Sequence, residues 1–339
     1  MQAIELKNGR GLRAVILPKG AILQALFFKD ESGKEIDIAL GYDTAEGYAK
    51  DRFFFGQTVG RVCNRIKDGK FEFEGKQYQL DINKPPHHLH GGANGCGKRD
   101  WEIVRRSVCS VTLRVHMKHE EDGYPGDAKI DCTYTVNDMN HLLIEYSGVC
   151  TENSLLNLTN HTYWNLDGED TINDHILEVR ADSYLPTDET NLPTGEIAVV
   201  SGTRFDFRKP KKLGELLGKE TGTVKLDNDF VLNDIRSRVA NVLLASKKSG
   251  IMMEMLTSYP IAHVYAGEYV DTEGKQNKPY KANSGIAIEC QGYTNAVNYP
   301  HFPQITVNAN EVFRREIVYA FGHLNSNEIS DFTNGEAEE

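Results

Sequence analysis

Five stretches of this chain carry ionisable and amide side chains where an alternating strand has no need of them. In Gly285-Ile-Ala-Ile-Glu-Cys-Gln-Gly-Tyr-Thr-Asn295, Glu289 falls on the strand face opposite Ile286 and Ile288. A strand-end carboxylate beside Gln291 and Tyr293 can act as a general base, and the alternative is an exposed polar-face residue. In Asn157-Leu-Thr-Asn-His-Thr-Tyr-Trp-Asn-Leu-Asp167, amides and aromatics interleave around His161. Such a composition suits a sugar cleft, with aromatic faces against C–H surfaces and amides on hydroxyls. His161 is then a proton carrier near neutrality, or else a histidine satisfied within a loop.

The run Gly56-Gln-Thr-Val-Gly-Arg-Val-Cys-Asn-Arg-Ile-Lys-Asp-Gly69 sets Asn64 and Arg65 among glycines. The arginine fork can bond neighbouring hydroxyls or a carboxylate, or make a plain surface ion pair. His87-His-Leu-His-Gly-Gly92 is open to three readings. His88 and His90 at i, i+2 would share a strand face and hold a metal. Alternatively His90 binds sugar where glycines let backbone approach a ligand, or the segment is a solvated loop. In Lys225-Leu-Asp-Asn-Asp-Phe230, Asp227 and Asp229 are either hydroxyl acceptors or turn residues.

Many short β-branched and aromatic segments must position these groups. Phe71 to Leu80 reads as a hairpin turning near Gly75. Period-two alternation marks Ser110 to Met117, Lys129 to Val136, Leu142 to Ser147, Ile176 to Arg180, Ile251 to Leu256, Ile286 to Glu289 and Val312 to Tyr319. Helical stretches are limited to a turn or two at Thr44 to Lys50 and Leu213 to Leu217. Strands without intervening helices predict an all-β antiparallel sandwich. With no linker and no repeat, the expectation is one domain over 1–327 and a loose acidic tail over 328–339.

Of the 339 residues, 40% are hydrophobic and 26% charged, an ordinary globular balance. A net charge of −11 without a basic stripe argues against nucleic acid and anionic membranes as partners. No apolar run approaches the roughly 18–20 residues of a membrane span, and the start MQAIELKNGRGL lacks a signal-peptide core. A cytoplasmic location is therefore expected, with six scattered free cysteines and no C-x-x-C pair. Asn157 and Asn160 fit glycosylation acceptor patterns, which then stay unmodified.

Taken in order, Asn64-Arg-Ile66, Leu89-His-Gly-Gly92, Asn157 to Leu166, Asp227-Asn-Asp-Phe230 and Gly285 to Gln291 resemble the motifs of the aldose 1-epimerase family. Ala296 to Pro303 also looks like the stretch that follows that family's glutamate. The resemblance runs from Gly56 to Phe321. It implies a large antiparallel β-supersandwich, with Glu289 as general base, His161 as general acid, Arg65, His90 and Asp227 on sugar hydroxyls, and Asn64 as a nearby contact. There are departures: Asn228 stands where many members have histidine, Cys63 replaces a usual alanine and Trp164 a usual phenylalanine. The first and last leave the sugar preference open.

The implied reaction interconverts the α and β anomers of free hexoses such as galactose and glucose. Glu289 takes the C1 hydroxyl proton while His161, as imidazolium, protonates the ring oxygen. No electrons move, so no cofactor and no metal is expected, in keeping with the lack of a G-x-G-x-x-G unit or P-loop. The expected partner is a small sugar, with the protein a monomer or homodimer. The alternatives are a hexose 6-phosphate 1-epimerase using Arg61 and Arg65, a non-catalytic sugar-binding protein, and a metal enzyme built on His87, His88 and His90.

Overall fold

The computed structural model describes residues 2–217, 225–235 and 238–325, so the stretch read as a loose acidic tail, 328–339, lies outside the described residues. The alternating segments all form strands. Val111, Leu113, Val115 and Met117 point inward from Ser110–Met117, while the residues between them face outward. Ala128–Val136 and His141–Cys150 repeat this pattern, paired antiparallel so that Leu113 opposes Cys132 and Cys132 opposes Tyr146. The hairpin near Gly75 joins Lys70–Phe73 to Lys76–Gln79. Glu74 and Gly75 both have positive φ there, as a two-residue hairpin turn requires.

Among the described residues the strands build a nine-stranded and a six-stranded antiparallel sheet, with smaller two- to four-stranded pieces around them. In the nine-stranded sheet, Phe313–His323 lies between His141–Cys150 and Ile251–Thr257. The six-stranded sheet runs in the order Tyr163–Trp164, Ile286–Gln291, Ile261–Tyr265, Asp227–Leu232, Ala181–Leu185, Ala198–Val199. One core joins the two sheets. Trp164 packs on Tyr319 at 4.9 Å between ring centroids, and the Tyr319 hydroxyl donates to the Ile288 carbonyl at 3.4 Å. Among the described residues the α-helices are two five-residue pieces, Ala45–Ala49 and Leu213–Leu217, where the sequence reading put them.

Ile286, Ile288 and Cys290 face that shared core, which turns Ala287, Glu289 and Gln291 to the other face, as the alternation predicts. The second face is not exposed, however: all six residues of the strand are buried. Loops close over it, with Asn157 Oδ1 accepting from the Gly292 amide at 2.7 Å and the Cys63 thiol donating to Gln291 Oε1 at 3.5 Å. Burial of Asn157 and Asn160 removes both as glycosylation acceptors in the folded protein. No helix among the described residues is long and apolar enough to cross a membrane.

Candidate active site

Three neighbouring strands of the six-stranded sheet lay the floor of the site. Asp229 of Asp227–Leu232 pairs directly with His263 of Ile261–Tyr265, and His263 pairs directly with Glu289 of Ile286–Gln291. Directly opposed residues share a face with Cβ atoms roughly 5 Å apart. Asp227 and Gln291, two residues along, lie on that same face. His263 was not among the residues singled out from sequence. The one available signal was its place between Ala262 and Val264, on the face away from them; its partners appear only once the strands are in register.

His263 Nδ1 lies 2.7 Å from Asp229 Oδ1, and its Nε2 lies 2.9 Å from Asp227 Oδ1. A carboxylate only accepts, so both ring nitrogens must carry protons. Burial opposes this imidazolium, but the bonds and charges of Asp227 and Asp229 outweigh it and raise the ring well above its usual range. Asp227 is held ionised in return. Burial works against its charge, and the His263 bond and charge, with Arg65, win. Asn191 Nδ2 donates to the other Asp227 oxygen at 2.8 Å, and Arg65 Nη2 stands 3.8 Å from it. Asp227 is thus a strand residue and an oriented acceptor, not a turn residue.

The walls come from loops. Asn64 (φ 59°) and His90 (φ 53°) are both left-handed. They interlock: the Asn64 amide donates to His90 Nδ1 at 3.1 Å, and the His90 amide donates to the Asn64 carbonyl at 3.1 Å. With Nδ1 accepting, a neutral His90 carries its proton on Nε2 and presents a donor to the pocket. Burial keeps this ring neutral, holding it well below its usual range. Phe54, a half-buried ring that sequence reasoning missed, stacks edgewise on His90 at 4.7 Å and lies 5.8 Å from His161. Apolar faces of this kind suit sugar C–H surfaces.

His161 is 4% exposed, and its loop is pinned by its amide donating to the Gln57 carbonyl at 2.9 Å. Its Nε2 lies 3.3 Å from Glu289 Oε1. His161 Nδ1 and Glu289 Oε2 are buried without a hydrogen-bond partner. Burial pushes Glu289 up to about 8, with the cation of His263 pulling the other way and Asp227 and Asp229 adding to the rise. Burial also pushes His161 down to about 3. Burial thus favours the neutral imidazole of His161, because it disfavours the charged form. Near neutral pH the proton of the pair resides on Glu289.

The three clustered histidines do not act together. The positive φ at His90 breaks the strand after Leu89, so His88 and His90 do not share a face. His88 turns inward, with Nδ1 on the Asp81 carbonyl at 2.9 Å and Nε2 on the Tyr124 hydroxyl at 2.8 Å. His87 Nε2 meets Thr190 Oγ1 at 2.8 Å. A different trio, His90, His161 and Glu289, brings donor atoms within 4.8 Å of one another. It does not suit a metal. The His90 Nδ1 lone pair is taken by the Asn64 amide, and the other nitrogen of a neutral ring is protonated. Two available donors are fewer than the three protein ligands that catalytic zinc sites use.

Other candidates lie elsewhere. Arg61 is buried and spent on the Gly126 carbonyl at 2.8 Å, the Pro125 carbonyl at 2.6 Å and Ser154 Oγ at 2.7 Å, so it cannot meet a ligand. Trp164 belongs to the core, where it packs on Tyr319. Asn228 lines a groove of about 300 Å³ beside Asp227, with Tyr184, Asp188 and Phe205. Tyr293 packs on Phe302 instead of facing Glu289. Gln291 is a brace, donating to Thr294 Oγ1 at 2.8 Å and to Asp229 Oδ1 at 3.4 Å.

Residues 2–320 match the family model described as Aldose 1-epimerase. The chain is 38% identical over 314 residues to the human galactose mutarotase, covering 91% of each. It is 30% identical over 309 residues to an aldose 1-epimerase of Escherichia coli K12, covering 89% of each. Among solved structures it is similar to an aldose epimerase homologue from C. elegans, with TM-score 0.92 and 46% identity over 96% of this chain and 99% of that one. A galactose 1-epimerase from Lactobacillus acidophilus has TM-score 0.83 and 29% identity, covering 95% of each.

Proposed function

The chain belongs to the aldose 1-epimerase family, and on that premise we propose that Glu289 and His161 interconvert the anomers of free hexoses such as galactose and glucose. The protein is an isomerase that opens the sugar ring and recloses it on the other face of C1. The observation that carries the residue assignment is the buried 3.3 Å approach of Glu289 Oε1 to His161 Nε2. The pair carries one proton between its two members. A C1 hydroxyl donating to Glu289 favours the carboxylate, and a ring oxygen accepting from His161 favours the imidazolium. Substrate therefore draws the proton from Glu289 to His161. Glu289 then takes the C1 hydroxyl proton, and His161 gives its proton to the ring oxygen. The pair ends as it began, a protonated carboxyl and a neutral imidazole. Rotation about C1–C2 and the reverse transfers complete the exchange.

Asp227, the Nε2–H of His90 and the fork of Arg65 are assigned to sugar hydroxyls, with Asn64 holding His90 and Arg65 in place. A non-catalytic sugar-binding site would have no use for the facing acid and base. Against a 6-phosphate substrate stand the enclosure of Arg61, the ion pair of Arg65 with Asp227, and the buried Asp229 side chain nearby. The deciding experiment follows optical rotation of fresh α-D-galactose, α-D-glucose and glucose 6-phosphate. Faster mutarotation of the free sugars is expected, and a larger kcat/KM for glucose 6-phosphate would reverse the assignment. An acidic chain whose six cysteines are all free fits a cytoplasmic enzyme acting as a monomer or homodimer.

Arg65→Ala is expected to raise KM for galactose and glucose, with some loss of kcat. Truncation leaves Asp227 Oδ2 bonded to Asn191 but removes the guanidinium 3.8 Å from it and strands the sugar hydroxyls, at roughly 1.5–3 kcal/mol for a charged hydrogen bond. That corresponds to a drop of about tenfold to a hundredfold in kcat/KM. An unchanged galactose value would leave Arg65 a partner of Asp227 alone. Exhaustive EDTA treatment is expected to leave the rate unchanged, and a loss restored by Zn²⁺ or Mn²⁺ would return the histidine–glutamate trio to a metal role.

A further inference from the structure

The acid–base pair does not sit on a neutral floor. The strand between Asp227–Leu232 and Ile286–Gln291 places His263 directly opposite Asp229 on one side and Glu289 on the other. Without a cation at that position, three buried carboxyl groups, Asp227, Asp229 and Glu289, would lie side by side on one sheet face. His263 meets two of them with its two ring nitrogens, at 2.9 and 2.7 Å. The clamp is braced from outside, since Asp229 Oδ2 accepts from the Thr294 amide at 3.1 Å and Asp227 Oδ2 accepts from Asn191.

We propose that His263 is a positioning residue: an imidazolium locked between Asp227 and Asp229 that orients the sugar-binding carboxylate and sets, through its charge, the pH at which Glu289 gives up the proton of the acid–base pair. The groups that act on it are Asp227 and Asp229 from one neighbouring strand and Glu289 from the other. Beyond these stand His161 and His90 in the loops above, and Glu268, which follows its own strand. Arg65 acts on the same cluster through Asp227 and Glu289. The inference rests on the assignment of Glu289 as the base.

The one-proton pair gives the test its sign. Catalysis needs that proton, so kcat/KM falls on the alkaline side as Glu289 ionises with His161 neutral. Removing the cation opposite Glu289 makes its proton harder to lose, and removing an anion nearby makes it easier. His263→Gln is therefore expected to move the alkaline limb of the kcat/KM–pH profile upward by about one pH unit or more. His263→Asn is expected to move it in the same direction, which keeps the test available if the first variant does not fold. Rates are measured with galactose after subtraction of the uncatalysed reaction, with Glu289→Gln run alongside. A purely structural role for His263 lowers the rate at every pH and leaves the limb in place. That result, with Glu289→Gln inactive, overturns the role of His263 alone. A Glu289→Gln protein with the wild-type rate overturns the base assignment and this inference with it.

Discussion

Glu289→Gln is expected to abolish mutarotation and leave the protein folded. The side chain is 1% exposed, and its carboxyl is pushed up to about 8, so near pH 7 the native group is largely a neutral acid. An amide of the same shape replaces one neutral polar group by another, and no buried charge is created or stranded. The melting temperature should change little. Catalysis is a different matter, because an amide cannot take the C1 hydroxyl proton. One positioned transfer is worth roughly 10²–10⁴-fold, and here the same group also stores the proton that His161 must deliver. Retention of more than about a tenth of the wild-type kcat would mean that less than about 1.4 kcal/mol of the barrier depended on Glu289, too little for a base.

The second large effect is expected at His161→Asn. The imidazole makes no hydrogen bond that holds the fold, since its Nδ1 has no partner and its Nε2 meets only Glu289. Its ring contacts with Phe54, His90 and Tyr163, at 5.8, 5.2 and 5.1 Å, cost packing but leave the loop anchored through its backbone bond to Gln57. What disappears is delivery of a proton to the ring oxygen, an interaction made only on the way to the open chain. kcat and kcat/KM should therefore fall together, by roughly 10²-fold or more. Steady-state kinetics with galactose separate this from the rival reading: a large rise in KM with kcat preserved would make His161 a sugar ligand.

Period-two alternation determined the strands, and the lack of long helical patterns determined an antiparallel sandwich, because a strand that buries one face must alternate. The same alternation placed Glu289 on the face away from Ile286 and Ile288. The spaced motifs around Asn64, His90, His161, Asp227 and Glu289 were legible because each holds polar groups that a strand or turn does not require. Tertiary structure alone decided the rest. Whether the face bearing Glu289 meets water depends on loops from distant parts of the chain, and their closure is what shifts the protonation of both Glu289 and His161. Arg61 and Arg65, four residues apart, look alike in sequence, yet one is spent on the Pro125 and Gly126 carbonyls and the other faces Asp227. The left-handed backbone at His90 separates it from His88, and a local pattern does not announce a positive φ at a non-glycine residue. His263 was hidden for the plainest reason: its two aspartates lie more than thirty residues away in the chain, and only strand register brings them to its ring nitrogens.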